Sequence, residues 1–167
     1  NFDPGFNGTA SSEDNTSISG IPDGTTCLKV TNTGSSAGWS AGGWIEASGD
    51  DVSSYNTLVF YAMAEAASFD GTLNVKVEDA SVASPEVDSG LVADGTWQKI
   101  EIPFSSLTGP DFSAITAPFI FVSSDSDFND VFYIDNIYYD YVPSVSLDAD
   151  SYSDSTTSAT ISVDDAD

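Results

Sequence analysis

Residues 73–78 read Leu-Asn-Val-Lys-Val-Glu. Successive side chains of a β-strand point to opposite faces. Leu73, Val75 and Val77 therefore share one side, and Asn74, Lys76 and Glu78 share the other. Such strict alternation predicts a strand with one face in a core and one outside it. Working outward, residues 99–104, KIEIPF, repeat the pattern: Ile100 and Ile102 share a face while Glu101 turns away. Residues 57–64, TLVFYAMA, are apolar on both faces and predict a strand central in its sheet. Residues 131–141, VFYIDNIYYDY, carry Phe132 and Ile134 and, after a local irregularity at Asp135 and Asn136, Ile137.

Further strands are expected at Cys27 to Thr31, Gly43 to Ala47, Gly90 to Val92 and Phe119 to Ser123, with the KIEIPF strand starting at Trp97. Turn signals such as PDG, SGDD, FDG, VADG and TGPD separate them. The alanine-rich YAMAEAASF reads as a strand entering a turn, and no helix is predicted. Many short strands between turns mean an all-β sandwich or barrel. The Gly-, Ser- and Asn-rich residues 1–24 read as a leader that Phe2 and Phe6 pin down in part.

The chain's 167 residues suffice for one domain with a sizeable core and, beyond it, the edge of another. Residues 1–142 form the expected module. After Val142 the composition shifts, and residues 143–167 read either as an acidic Ser/Thr linker or as the truncated start of an Ig-like or cadherin-like module. The chain starts at Asn1 without a methionine or signal sequence, so it is expected to be a piece of a larger protein with covalently linked neighbours, itself a monomer.

Charge excludes several function classes. There are 27 Asp plus Glu against three lysines, with no histidine and no arginine, for a formal net charge of -24. That field repels phosphate, so nucleic acid is a poor partner and an anionic membrane is disfavoured, and no run of residues is long and apolar enough to insert. Ser-His-Asp and Cys-His nucleophiles are unavailable for want of histidine. Only carboxylate chemistry, as in a glycosidase or small lyase, survives on residue type. High acidity suits a secreted or cell-surface protein in a salty, marine medium, and it also suits calcium capture. Cys27 is the only cysteine, which excludes an internal disulfide and reads as a buried, inert thiol.

Four segments in order, CLKVTN (27–32), DGTWQKIEIPFSSL (94–107), FIFVSS (119–124) and FYIDNIYY (132–139), resemble the β-sandwich carbohydrate-binding modules, the galactose-binding-like jelly rolls. The opening NFDPGF departs from that family's first strand. The resemblance covers residues 20 to 142. It implies a jelly-roll β-sandwich of two antiparallel sheets, of a kind often appended to polysaccharide hydrolases and lyases. It also implies a structural role for Trp97, at a sandwich edge. In the resembling modules the closing-strand Asp, here Asp135, helps hold a structural calcium near the N-terminal strand, which nominates Asp3, Asp14 or Glu13 beside it. The other reading of Asp135 is a carboxylate accepting backbone hydrogen bonds at a bulge.

The candidate sugar contacts follow from chemistry. A pyranose presents polarised C–H bonds that stack on an indole, while its hydroxyls seek polar groups. Trp39 and Trp44 stand in AGWSAGGW, among small residues that leave them uncrowded; the competing reading of Trp44 is a cap on the core. Asn74, Lys76 and Glu78 form a polar face expected to adjoin Tyr61 on the neighbouring strand and to bond sugar hydroxyls. The expected function is non-catalytic binding of polysaccharide, a neutral β-glucan such as laminarin or another algal polysaccharide, that targets a linked enzyme or cell surface to polymer. The alternatives are a calcium-stabilised adhesive module and, third, a small lyase or glycosidase.

Overall fold

The computed structural model describes residues 2–3, 10–32, 39–46, 48–124, 131–142, 145–147 and 161–163. The fold is all-β. One five-stranded sheet has the order β1 (Phe2–Asp3), β4 (Trp39–Trp44), β9 (Ile115–Ser124), β6 (Thr72–Asp79), β7 (Val87–Asp88). The other has the order β2 (Ala10–Asn15), β3 (Cys27–Asn32), β10 (Val131–Asp140), β5 (Thr57–Ala64), β8 (Gln98–Pro103). We call them the β9 sheet and the β10 sheet. All their pairings are antiparallel. The longer strands from β4 onward alternate between the sheets, so each connection crosses the sandwich. A separate antiparallel pair joins β11 (Val145–Leu147) to β12 (Ile161–Val163).

The core lies between the two sheets. Leu73, Val75 and Val77 are buried from one side, and Ile100 and Ile102 from the other, as alternation requires. Phenylalanines tie the layers together. Phe119 meets Phe60 edge-to-face at 5.1 Å between centroids, and Phe121 meets Phe132 at 5.3 Å. Each fully buried Phe is worth about 1.5–3 kcal/mol relative to exposure.

β5 lies between β10 and β8 and is buried on both faces except at Tyr61, which accounts for its continuous apolar run. Beyond it the chain turns at residues 66–68, as YAMAEAASF predicts, and Phe69 returns to the core. The irregularity in β10 is a bulge. Between Asp135, opposite Tyr61, and Tyr138, opposite Val59, β10 spends one residue more than β5. Asn136 sits there at φ 48, a left-handed conformation that Asn tolerates better than most residues. The extra residue reverses the parity of the strand. Phe132 and Ile134 point inward before it, Ile137 and Tyr139 after it.

Three expectations shift. The strand expected at Gly43 to Ala47 runs instead from Trp39 to Trp44, and the one at Gly90 to Val92 is Val87–Asp88. The polar stretch ASSEDN, read as part of a leader, is the edge strand β2, zipped to β3 from Ala10↔Asn32 to Asn15↔Cys27. An edge strand can be made by its neighbour's backbone groups, so its own low β-propensity is overridden. The stretch DSDFND at 125–130, whose composition reads as a hairpin turn, lies outside the described residues.

Candidate functional site

Register gathers part of the expected site on the outer face of the β9 sheet. Asn74 lies opposite Val122 and Lys76 opposite Ile120; on the far side of β9, Ala41 lies opposite Val122 and Gly43 opposite Ile120. Ala41, Ala117, Ile120 and Val122 form a small buried apolar cluster of their own, separate from the main core. The Lys76 ammonium reaches the carboxylate of Glu78, two residues along the same strand and on the same face, at 2.9 Å. Asp88 flanks Asn74 on the edge strand. The face thus has an apolar floor with amide, ammonium and carboxylate groups along one side. Trp39 is the first residue of β4, opposite Ser124, and strand alternation assigns position 39 to the face of Ala41. Its side chain, like those of Asp3 and Glu13, lies outside the described residues.

The small residues around the tryptophans have another cause than clearing space. A Cβ on Gly43 would collide with the Phe119 carbonyl oxygen and meet the Ile120 Cα at 3.0 Å, so glycine there permits the close approach of β4 to β9. Trp44 is opposite Phe119 and turned to the core side, with its ring edge-on to Phe119 at 5.8 Å. The core-cap reading of Trp44 is therefore the one realised, and Trp44 and Trp39 belong to opposite faces of β4. Trp97 is half-buried beside Gly20.

Tyr61 needs a second correction. β5 and β6 are consecutive but pair in different sheets, so Tyr61 does not adjoin Asn74, Lys76 and Glu78. It lies on the outer face of the β10 sheet, between Asp135 on β10 and Lys99 on β8. Two tyrosines that the sequence reading left out share that face. Tyr133 is opposite Met63 on one side and Lys29 on the other, and Tyr138 is opposite Val59. Alternation along residues 131–135 could have nominated Tyr133; Tyr138 joins it only because the bulge reverses parity. Its neighbour Tyr139 turns inward, donates to the Pro118 carbonyl at 2.6 Å, and is held well above the usual phenol range by burial and then by Asp50.

The acidic candidates divide similarly. Asp135 Oδ2 accepts the backbone N–H of Asp23 at 2.8 Å, anchoring the loop before β3 to the bulge. Asp14, exposed, and Asp135 line one cavity of about 420 Å³ with Cys27, Trp44, Glu46 and Asp50. Asp3 is paired to Gly43 in the other sheet. Among the described residues, no three Asp, Glu or Cys side chains converge as a metal site would require. Cys27 is 2% exposed, and burial, then the charge of Asp135, pushes its thiol pKa up, which disfavours the reactive thiolate. Among the described residues no helix is long and apolar enough to cross a membrane.

Comparison with solved structures finds the same sandwich. The family 11 carbohydrate-binding module from Clostridium thermocellum, in complex with a β-1,3-1,4-mixed-linked tetrasaccharide, superposes with a TM-score of 0.56 at 16% identity, over 84% of this chain and 95% of that one. The family 30 module of the cellulosomal cellulase Cel9D-Cel44B of Clostridium thermocellum gives 0.58 at 16% identity, over 82% and 88%. An exo-β-agarase gives 0.58 at 16% identity, over 86% of this chain and 23% of the enzyme. Comparison with curated protein sequences gives no match. Residues 5–141 match the model of carbohydrate binding domain 30, and the chain belongs to that family of non-catalytic carbohydrate-binding modules.

Proposed function

We propose that the outer face of the β9 sheet binds a neutral β-glucan, laminarin or another algal polysaccharide, and so holds a linked extracellular enzyme or a cell surface to polymer. Trp39 supplies the stacking ring, and Asn74, Lys76 and Glu78 supply hydrogen bonds to hydroxyls. The observation that carries the reading is the register, which brings positions 39, 74, 76 and 78 to one face over the Ala41, Ile120 and Val122 floor. The mixed-linked glucan bound by the family 11 module supports the ligand class. The charge of -24 supports a neutral over an anionic polymer. A shallow face of this kind is expected to bind with a dissociation constant on the order of micromolar to millimolar, with avidity gained by linkage to its neighbours.

Calcium is a further part of the proposal, resting on Asp14 and Asp135 at one cavity and on the acidity of the chain. The described pair supplies only part of the six to eight oxygens calcium takes, so backbone carbonyls and water would complete the shell, and Asp135 keeps Oδ1 for the ion while Oδ2 accepts from Asp23.

Gel retardation in laminarin and in mixed-linkage glucan, with and without chelator, tests both parts. Trp39→Ala is expected to abolish retardation, and chelator to lower the melting temperature. Undiminished binding by Trp39→Ala would sink the site assignment, and identical melting with chelator would remove the ion.

A further inference from the structure

We propose that the outer face of the β10 sheet is a second carbohydrate-contact surface, taking a run of neutral sugar rings across Tyr61, Tyr133 and Tyr138. It goes beyond the reading of the β9 face and rests on different residues.

Register makes the three tyrosines a row. Tyr133 is opposite Met63 and Tyr138 opposite Val59, and Tyr61 stands between Val59 and Met63 on the same face of β5. Tyr61 is thus the diagonal neighbour of both, roughly 7–8 Å away between Cα atoms. From Tyr133 to Tyr138 the row runs roughly 15 Å along β10, room for a short stretch of polymer rather than one ring. Val59 and Met63 are 0% and 4% exposed although they point away from the main core. The rings are half-buried above this floor, which props them as a platform.

The hydroxyl groups indicate what binds. Among the described residues, those of Tyr61, Tyr133 and Tyr138 have no hydrogen-bond partner, whereas the inward Tyr139 does. Flat apolar rings with unengaged hydroxyls match a sugar's C–H face and its hydroxyl rim, and a tyrosine loses little rotamer freedom on binding. Lys99 and Glu101, both exposed on β8, add a donor and an acceptor at 2.5 Å from each other with no net charge. Lys99 lies opposite Tyr61, and Glu101 opposite Val59. A second copy of this chain is the competing occupant. It would bring another charge of -24 to the face, which disfavours it against a neutral polymer.

The test is an amide-resolved NMR titration of the full chain with laminarihexaose, a mixed-linked glucan tetrasaccharide and an agaro-oligosaccharide. At least one is expected to shift the amides of residues 59–61, 99–101 and 133–138. Tyr138→Phe keeps the ring and the fold and is expected to weaken that response two- to fivefold; Tyr61→Ser with Tyr138→Ser is expected to weaken it tenfold or more. Lys76→Ala, on the opposite face, is expected to leave it unchanged. Shifts confined to residues 41–43, 74–78 and 120–122 would overturn this proposal and leave the β9 face standing. Shifts confined to the tyrosine face would uphold it and remove the β9 face. Concentration-dependent shifts at the tyrosines without sugar would overturn it in favour of self-association, and silence from all three sugars would overturn it outright.

Discussion

The two outer faces of the sandwich carry the same small device in different settings. On β6, Lys76 reaches Glu78 two residues on; on β8, Lys99 reaches Glu101 two residues on. Strand alternation puts each pair on one face, and an ion pair of that spacing follows. The surroundings differ. Lys76 lies opposite aliphatic Ile120 on β9, is 23% exposed, and has the small-residue strand β4 only on the far side of β9. Lys99 is 41% exposed and faces Tyr61. Its ammonium is held above its usual range by the hydrogen bond to Glu101, against opposing desolvation. Similar local sequence thus serves two unlike surfaces, because what a strand presents depends on the strands beside it.

The largest effect is expected where the two faces share support. Phe132 on the β10 sheet meets both Phe69 and Phe121, so it joins the layers. Phe132→Ala should cost about 3–5 kcal/mol of stability in denaturant unfolding and perturb both faces together. A loss below 1 kcal/mol would mean that the faces are supported separately.

A finer comparison lies within β10. Tyr138 and Tyr139 are consecutive and face opposite ways. Tyr139→Phe removes a part-buried hydroxyl and leaves the Pro118 carbonyl short of a donor, at a cost of about 1–2 kcal/mol. Tyr138→Phe should fall within about 0.5 kcal/mol of the parent. Thermal melts of the two variants read the difference directly, and equal melting temperatures would break the assignment of faces made by the bulge.

The smallest effect is in acid. Asp79, at the end of β6, accepts the backbone N–H groups of Asp111, Ser81 and Val82, and its pKa is lowered below 3.8 by them in that order. Asp94, before β8, is lowered by the hydroxyl and then the N–H of Thr96. A carboxylate with a depressed folded pKa stabilises the fold above its unfolded pKa, and the contribution is lost as pH falls through the folded value. Carboxyl-carbon NMR titration should show both midpoints below 3.8, with the turn at 79–82 loosening as Asp79 protonates. A midpoint at or above 3.8 for Asp79 would show that its three bonds do not form.

Much of this fold is legible in the residues themselves. The inward sets Leu73, Val75, Val77 and Ile100, Ile102 follow from period-two alternation alone, because a core face must be apolar at every second residue. The bulge at Asp135 and Asn136 was legible as well, as a polar interruption in an apolar strand. ASSEDN was not, because an edge strand is held by backbone hydrogen bonds that leave no apolar signature. Trp44 was only half legible. The glycines beside it read as open space, while Gly43 is in fact needed for the contact between β4 and β9.

Strand pattern alone carries the layered all-β class and the inner and outer sets of β6 and β8, and composition carries the net charge of -24. Those properties are local or additive: alternation needs only the strand's own residues, and net charge only their sum. Which outer residues meet was decided by the tertiary structure. β5 and β6 follow each other in the chain yet lie in different sheets, so Tyr61 parts from Lys76 and joins Tyr133 and Tyr138. Strand order is set by how two twisted sheets bury their apolar faces together, and no single strand carries that information.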